Sequence, residues 1–206
     1  MTKQLHGLYA ITDPALMGER LLEQAEQAVS GGVRLLQYRN KQADPARQQS
    51  EARALSDLCR AHKVTFIIND DPRLAAGVDA DGVHLGQSDS DILSARQILG
   101  ADKIIGLTCH ASLENALAAE KAGADYVAFG RFFPSHSKPH APPAEIDILH
   151  QARRRLTVPI VAIGGVTPEN GGALIEAGAD MLAVIHGIFG VADIRQALRQ
   201  FVQLFD

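Results

Sequence analysis

Gln37, Arg39 and Lys41 are spaced two apart in the segment Gln37-Tyr38-Arg39-Asn40-Lys41. In extended backbone, residues two apart point to the same side. An amide, a guanidinium fork and an ammonium can then share one surface, a set suited to a di- or triphosphate. Burying such cations in a recess without an anion is costly, and the competing reading is a solvated strand end. Asn69-Asp70-Asp71 and Gln87-Ser88-Asp89 each follow an apolar run. Two hard carboxylates on neighbouring strands suit Mg2+, which takes oxygen ligands and keeps waters and phosphates as the rest. Asp70, Asp71 and Asp89 are the candidates. Asp71 and Asp89 also compete as helix N-caps, before Pro72 and before 91–99 respectively.

Thr108-Cys109-His110 closes another run. Adjacent Cys and His side chains diverge, so they do not make a nucleophile–base pair, and the Thr108 hydroxyl is the better ligand contact. Gly164-Gly165 and Ile185-His186-Gly187 supply glycines whose backbone N–H groups suit a second phosphate; turn glycine is the alternative. The eight histidines show neither HxH nor HExxH spacing, which argues against a histidine zinc site. His84 falls within a strand and reads as barrel filling.

Elements that would position these residues alternate along the chain. Strands are expected at 8–12, 35–39, 66–70, 82–86, 103–108, 126–130, 159–164 and 181–187. Most are continuous apolar runs, as in strands covered on both faces. Between them lie helical patterns. Leu21, Leu22, Ala25, Ala28 and Val29 share one face, as do Ile194, Ala197, Leu198, Phe201, Val202 and Phe205. Asp44-Pro45 and Thr167-Pro168 read as N-cap followed by first-turn proline. Gly31-Gly-Val-Arg34, Ala80-Asp-Gly-Val83, Gly123-Ala-Asp-Tyr126 and Gly178-Ala-Asp-Met181 each lead into an even-numbered strand. This recurrence predicts an α/β fold, a single (β/α)8 TIM barrel spanning 1–206. The rival, an open doubly wound sheet, lacks its GxGxxG fingerprint. The segment 131–147 holds four prolines and is long for a βα loop. It reads as a lid or ligand clamp, or else a tolerated insertion.

Composition narrows the function. The net charge is −4 and no Lys/Arg run is longer than the three arginines Arg153–Arg155, which disfavours nucleic acid and anionic membranes. Residues 1–6 carry no apolar signal region and no run is long enough to span a membrane. Two cysteines without a CxxC pair fit a reducing cytoplasm.

The segments Tyr9-Ala-Ile-Thr-Asp13, Gln37-Tyr-Arg-Asn-Lys41, Ile68-Asn-Asp-Asp71, Gly82-Val-His-Leu-Gly-Gln87 with Asp89, Gly123-Ala-Asp-Tyr-Val-Ala-Phe-Gly130 and Pro159-Ile-Val-Ala-Ile-Gly-Gly165 occur in this order. Together they resemble the thiamine-phosphate synthase family from end to end. The resemblance implies condensation of a hydroxymethylpyrimidine diphosphate with a thiazole phosphate, Mg2+-assisted, with ionisation before the thiazole nitrogen attacks. It implies that Gln37, Tyr38, Arg39, Asn40, Lys41, Asn69, Thr108 and Lys138 contact the pyrimidine diphosphate. Of these, Arg39, Lys41, Thr108 and Lys138 would serve catalysis. Asp70 and Asp89 would bind Mg2+. Ser135, His136, Ser137, Gly165, Ile185 and His186 would hold the thiazole phosphate. The partners implied are small phosphorylated substrates. Asn40 departs from the family's common Glu, Thr108 from its Ser, and Ser135-His-Ser-Lys138 from Thr-x-Thr-Lys. Arg131 and His186 stand where smaller residues are commoner and add donors. A thiazole tautomerase relative, a sugar-phosphate epimerase barrel and a non-enzymatic sensor of thiamine intermediates are the competing readings.

Overall fold

Runs of Val, Ile, Leu and Phe flanked by amphipathic helices bury best when the strands lie parallel and the helices cover them. The computed structural model describes residues 5–87, 91–135 and 142–206. Its strands are β1 (Gly7–Ile11), β2 (Leu35–Tyr38), β3 (Thr65–Asn69), β4 (Gly82–Leu85), β5 (Ile104–His110), β6 (Tyr126–Phe129), β7 (Ile160–Ile163) and β8 (Met181–Val184). Each pairs in parallel with the next and β8 returns to β1, closing the barrel. The helices are α1 (Pro14–Met17), α2 (Leu21–Ser30), α3 (Pro45–His62), α4 (Pro72–Gly77), α5 (Ile92–Leu99), α6 (Leu113–Lys121), α7 (Asp147–Arg155), α8 (Pro168–Glu176), α9 (His186–Phe189) and α10 (Ile194–Val202). Among the described residues no helix is long and apolar enough to cross a membrane.

Six strands end one residue short of expectation, and two differ by more. The β8 ladder stops at Val184, because the Ile185 carbonyl accepts from the N–H groups of Ile188 and Phe189 and opens α9. β5 runs on to His110, past a register shift between Thr108 and His110.

Period-two alternation divides each strand between two cores. Leu8, Leu36, Phe66, Ile68, Val83, Val127 and Leu182 pack outward against the helices. Tyr9, Ile11, Leu35, Ile67, Ile104, Tyr126, Val161 and Met181 fill the barrel. Gly106 of β5 faces inward opposite Tyr126, and a β-carbon there would lie 2.0 Å from the phenol ring. Glycine is what lets that ring occupy the barrel centre.

The repeat before β4, β6 and β8 has a structural cause. Asp81, Asp125 and Asp180 accept from the backbone N–H groups of Phe66, Ile105 and Ile160, at 2.9, 2.8 and 2.8 Å. Each carboxylate thus ties the start of an even strand to the odd strand before it. Arg96 and Arg153 pair with Asp125 and Asp180. Asp44 caps α3 by accepting from Arg47 N–H, as expected. At α8 the Thr167 N–H donates to Asn170 Oδ1.

Gly106→Ala is expected to lower stability by about 1–3 kcal/mol, the usual range for overpacking, in chemical denaturation. An unchanged midpoint would mean Tyr126 repacks without cost.

Candidate active site

The strands open at their C-terminal ends into a cavity of about 930 Å³. This is within the range of small-molecule sites and at the end where barrel chemistry collects.

Gln37 continues the inward phase of Leu35, and both Arg39 and Lys41 line the cavity beside it. The phase survives beyond the last ladder residue because Thr12, itself buried, pins the backbone. Its N–H donates to Gln37 C=O, and its hydroxyl accepts from Arg39 N–H at 2.9 Å and donates to Arg39 C=O. The same phase corrects the expectation for Tyr38 and Asn40, which turn outward from the cavity. Tyr38 is buried against the helix layer and donates to Glu51 at 2.8 Å. Asn40 donates to the same carboxylate at 3.0 Å, and its Oδ1 accepts from the N–H groups of Gln42 and Ala43. Asn40 therefore shapes the loop into α3. Burial pushes the Glu51 carboxyl up, but hydrogen bonds from Arg47, Asn40 and Tyr38 outweigh it and hold the group below its ordinary value.

At the end of β3 a three-residue turn sorts two carboxylates. Asp71 N–H donates to Asn69 C=O at 2.9 Å, with Asp70 at φ +65° between them. Such sparsely populated backbone costs about 1–3 kcal/mol and clusters at functional sites. Asp71 caps α4, accepting from Arg73 and Leu74 N–H, so its competing cap role is the one it fills. Asp70 and Asn69 line the cavity, and Lys41 Nζ lies 2.6 Å from Asp70 Oδ2. Asp91 caps α5, accepting from Ser94 N–H. Asp89 lies outside the described residues. Among those residues no group of three or more His, Cys, Asp or Glu could hold a metal.

Thr108 lines the cavity, whereas Cys109 points into the outer core and burial pushes its thiol up to about 12. His84 does more than fill the barrel. It lines the cavity, with Nε2 2.8 Å from Thr108 Oγ1 and Nδ1 2.9 Å from Tyr126 Oη. Tyr126 in turn meets Tyr9 at 2.8 Å, and Gln37 Nε2 donates to Tyr9 at 2.6 Å. From the sequence, Tyr9 and Tyr126 had no assigned role and His84 read only as barrel filling. The available signal was a polar atom at an inward position of an otherwise apolar strand.

On the opposite rim Gly164 and Gly165 have φ +105° and +64°. A β-carbon on Gly165 would sit 2.3 Å from Pro134 O, and one on Gly164 2.2 Å from Arg131 Cβ. Phe133 N–H donates to Gly164 C=O, and Ala144 N–H returns to Arg131 C=O. The start of the long loop is therefore seated on the end of β7, placing Arg131 and Ser135 at the cavity with Gly165, Ile185 and His186. His136, Ser137 and Lys138 lie outside the described residues.

Residues 8–188 match the family model described as thiamine monophosphate synthase. The chain belongs to that family. It is 54% identical to the thiamine-phosphate synthase of Alcanivorax borkumensis, over 98% of this chain and 95% of that one. With the thiamine-phosphate synthase of Nitrosococcus oceani it shares 50% identity, over 100% and 95%. Its fold matches thiamine phosphate pyrophosphorylase from Pyrococcus furiosus at a TM-score of 0.89, with 35% identity over 97% of this chain and 95% of that one. The matched span of the thiamine monophosphate synthase family includes every cavity position named above.

Cys109 is expected to resist iodoacetamide in the native protein at about pH 8 and to react on unfolding, because its thiolate is disfavoured and enclosed. Mass spectrometry of the labelled peptide checks this. Rapid native labelling would place the thiol in the cavity.

Proposed function

We propose that this chain is a transferase that makes thiamine phosphate from 4-amino-2-methyl-5-hydroxymethylpyrimidine diphosphate and 4-methyl-5-(2-hydroxyethyl)thiazole phosphate. The observation that carries this reading is the Lys41–Asp70 pair, 2.6 Å apart beside Arg39, in a cavity whose other rim is built of glycine. One wall offers cations and a carboxylate for a metal-bound diphosphate, and the other offers backbone for a single phosphate.

Gln37 and Asn69 hold the pyrimidine. Arg39, Lys41, Thr108 and Lys138 take the diphosphate oxygens. Gly165, Ile185 and His186, with Ser135, His136 and Ser137, hold the thiazole phosphate. Asp70 supplies hard oxygen donors of the kind Mg2+ takes, since Mg2+ binds one or two carboxylates plus substrate phosphates; Asp89 is its proposed partner. When bound, Mg2+ would neutralise charge building on the departing diphosphate. The bond between the pyrimidine methylene carbon and the diphosphate oxygen breaks, and its electron pair leaves with pyrophosphate. The thiazole nitrogen lone pair forms the new C–N bond at the same carbon.

This chemistry requires no activated nucleophile from the protein. Electrostatic stabilisation of the leaving group and alignment of the second substrate carry the rate. Lys41 exchanges its Asp70 partner for phosphate oxygens as substrate arrives. The family reading, small phosphorylated substrates and two buried free cysteines are consistent with a cytoplasmic enzyme.

Mixing the protein with both substrates and Mg2+ is expected to give thiamine phosphate by mass, abolished by EDTA. Folded protein that binds thiazole phosphate yet gives no product would overturn the synthase reading. Asp70→Ala is expected to cut kcat about a hundredfold or more. It should cost little stability, because an ion pair whose lysine is more than half exposed contributes only about 0–1 kcal/mol. Parallel losses of activity and melting temperature would make Asp70 structural. Lys138→Ala should slow the chemical step in single turnover, and an unchanged rate would remove it from the leaving-group site.

A further inference from the structure

We infer that Gln37, Tyr9, Tyr126, His84 and Thr108 form a directional hydrogen-bond relay that sets, as one unit, which group Gln37 and which group Thr108 present to the cavity. The five side chains run from β2 to β5 in unbroken contact at 2.6, 2.8, 2.9 and 2.8 Å. Tyr9 and Tyr126 are buried to 1% exposure or less. Burial raises both phenols above their ordinary range, so each keeps its proton.

A phenol has one proton, and each of these oxygens has two partners within the row. A buried O–H that points away from the row loses its acceptor, at the cost of a lost hydrogen bond. With His84 neutral, only two arrangements place one proton in every contact of the row. In the forward one Gln37 Nε2 donates to Tyr9, Tyr9 to Tyr126, and Tyr126 to His84 Nδ1. His84 is then the neutral Nε2–H tautomer donating to Thr108, and the Thr108 proton is left for the cavity. In the reverse one Thr108 donates to His84, and the chain ends on the Gln37 carbonyl oxygen.

The amide orientation in the structure is the forward one. Gln37 then offers the cavity an acceptor, and Thr108 offers a donor. A ligand with an amino group at the Gln37 end and phosphate oxygens at the Thr108 end satisfies both. This deepens the proposed function and rests on it for the identity of the ligand. Tyr9, Tyr126 and His84 are positioning residues, acting through the orientation of their neighbours.

The test uses full-length protein labelled with 15N-histidine at about pH 8, above the ordinary imidazole range. His84→Gln assigns the signal. The native protein is expected to show His84 as the Nε2–H tautomer. Gln37→Glu replaces the donor by an acceptor-only carboxylate and is expected to invert the tautomer, though residue 37 does not touch His84. Adding Tyr9→Phe cuts the relay and should abolish the inversion. Tyr126→Phe should remove the bias toward Nε2–H.

Inorganic pyrophosphate with Mg2+ probes the Thr108 end by calorimetry. Gln37→Glu should weaken its binding about fivefold more with Tyr9 present than in the Tyr9→Phe background, since one hydrogen bond is lost only through the relay. A native Nδ1–H tautomer, no response in either folded variant, inversion that persists without Tyr9, or equal pyrophosphate losses in both backgrounds would each overturn the relay. The tautomer arm needs no substrate. A protein that makes no thiamine phosphate but inverts its His84 tautomer would refute the function and keep the relay.

Discussion

Closing parallel strands into a ring leaves each strand a single phase, because its side chains must alternate between the helix layer and the barrel interior. Everything at the mouth depends on that alternation outlasting the ladder. In β2 it does so because Thr12 holds the Arg39 backbone extended through both its N–H and its carbonyl. Gln37, Arg39 and Lys41 therefore reach one cavity wall, while Tyr38 and Asn40 meet Glu51 on the other side. A slip of one residue would exchange the two sets.

The neighbouring strand end solves a different problem. Two consecutive aspartates would repel if both faced the cavity, and α4 needs a cap. A turn with Asp70 at φ +65° sends one carboxylate to each task. Lys41 balances the inward carboxylate at 2.6 Å, so charge is already compensated before a ligand enters. Exchanging one ion pair for another costs less than dehydrating bare charges. This is one physical reason for a cation and a carboxylate to share a wall that receives a metal-bound anion.

The barrel interior is graded. Leu35, Ile67, Ile104 and Met181 form an apolar floor. Above it, Gly106 makes room for Tyr126, and the phenols, His84 and Thr108 form a hydrogen-bonded layer. A row of polar groups enclosed this way is tolerated only when each is satisfied, which makes the floor of the cavity rigid.

The sequence by itself determined the eight strand positions, the alternation of strand and helix and the inward phase of Gln37, Arg39 and Lys41. Each rests on local periodicity, glycine placement or β-branched runs, which act over a few residues. The caps at Asp44 and Asp71 were legible for the same reason. Only the tertiary structure decided that Asp70 pairs with Lys41 at the cavity, that the aspartate of three even-strand repeats is a carboxylate tie, and that Asn40 shapes a loop. It alone joined Tyr9, Tyr126 and His84, which lie 42 to 117 positions apart in the contacting pairs. No local pattern encodes such a meeting, because it arises when barrel closure brings inward positions of separate strands to one level and burial forces their polar atoms to pair.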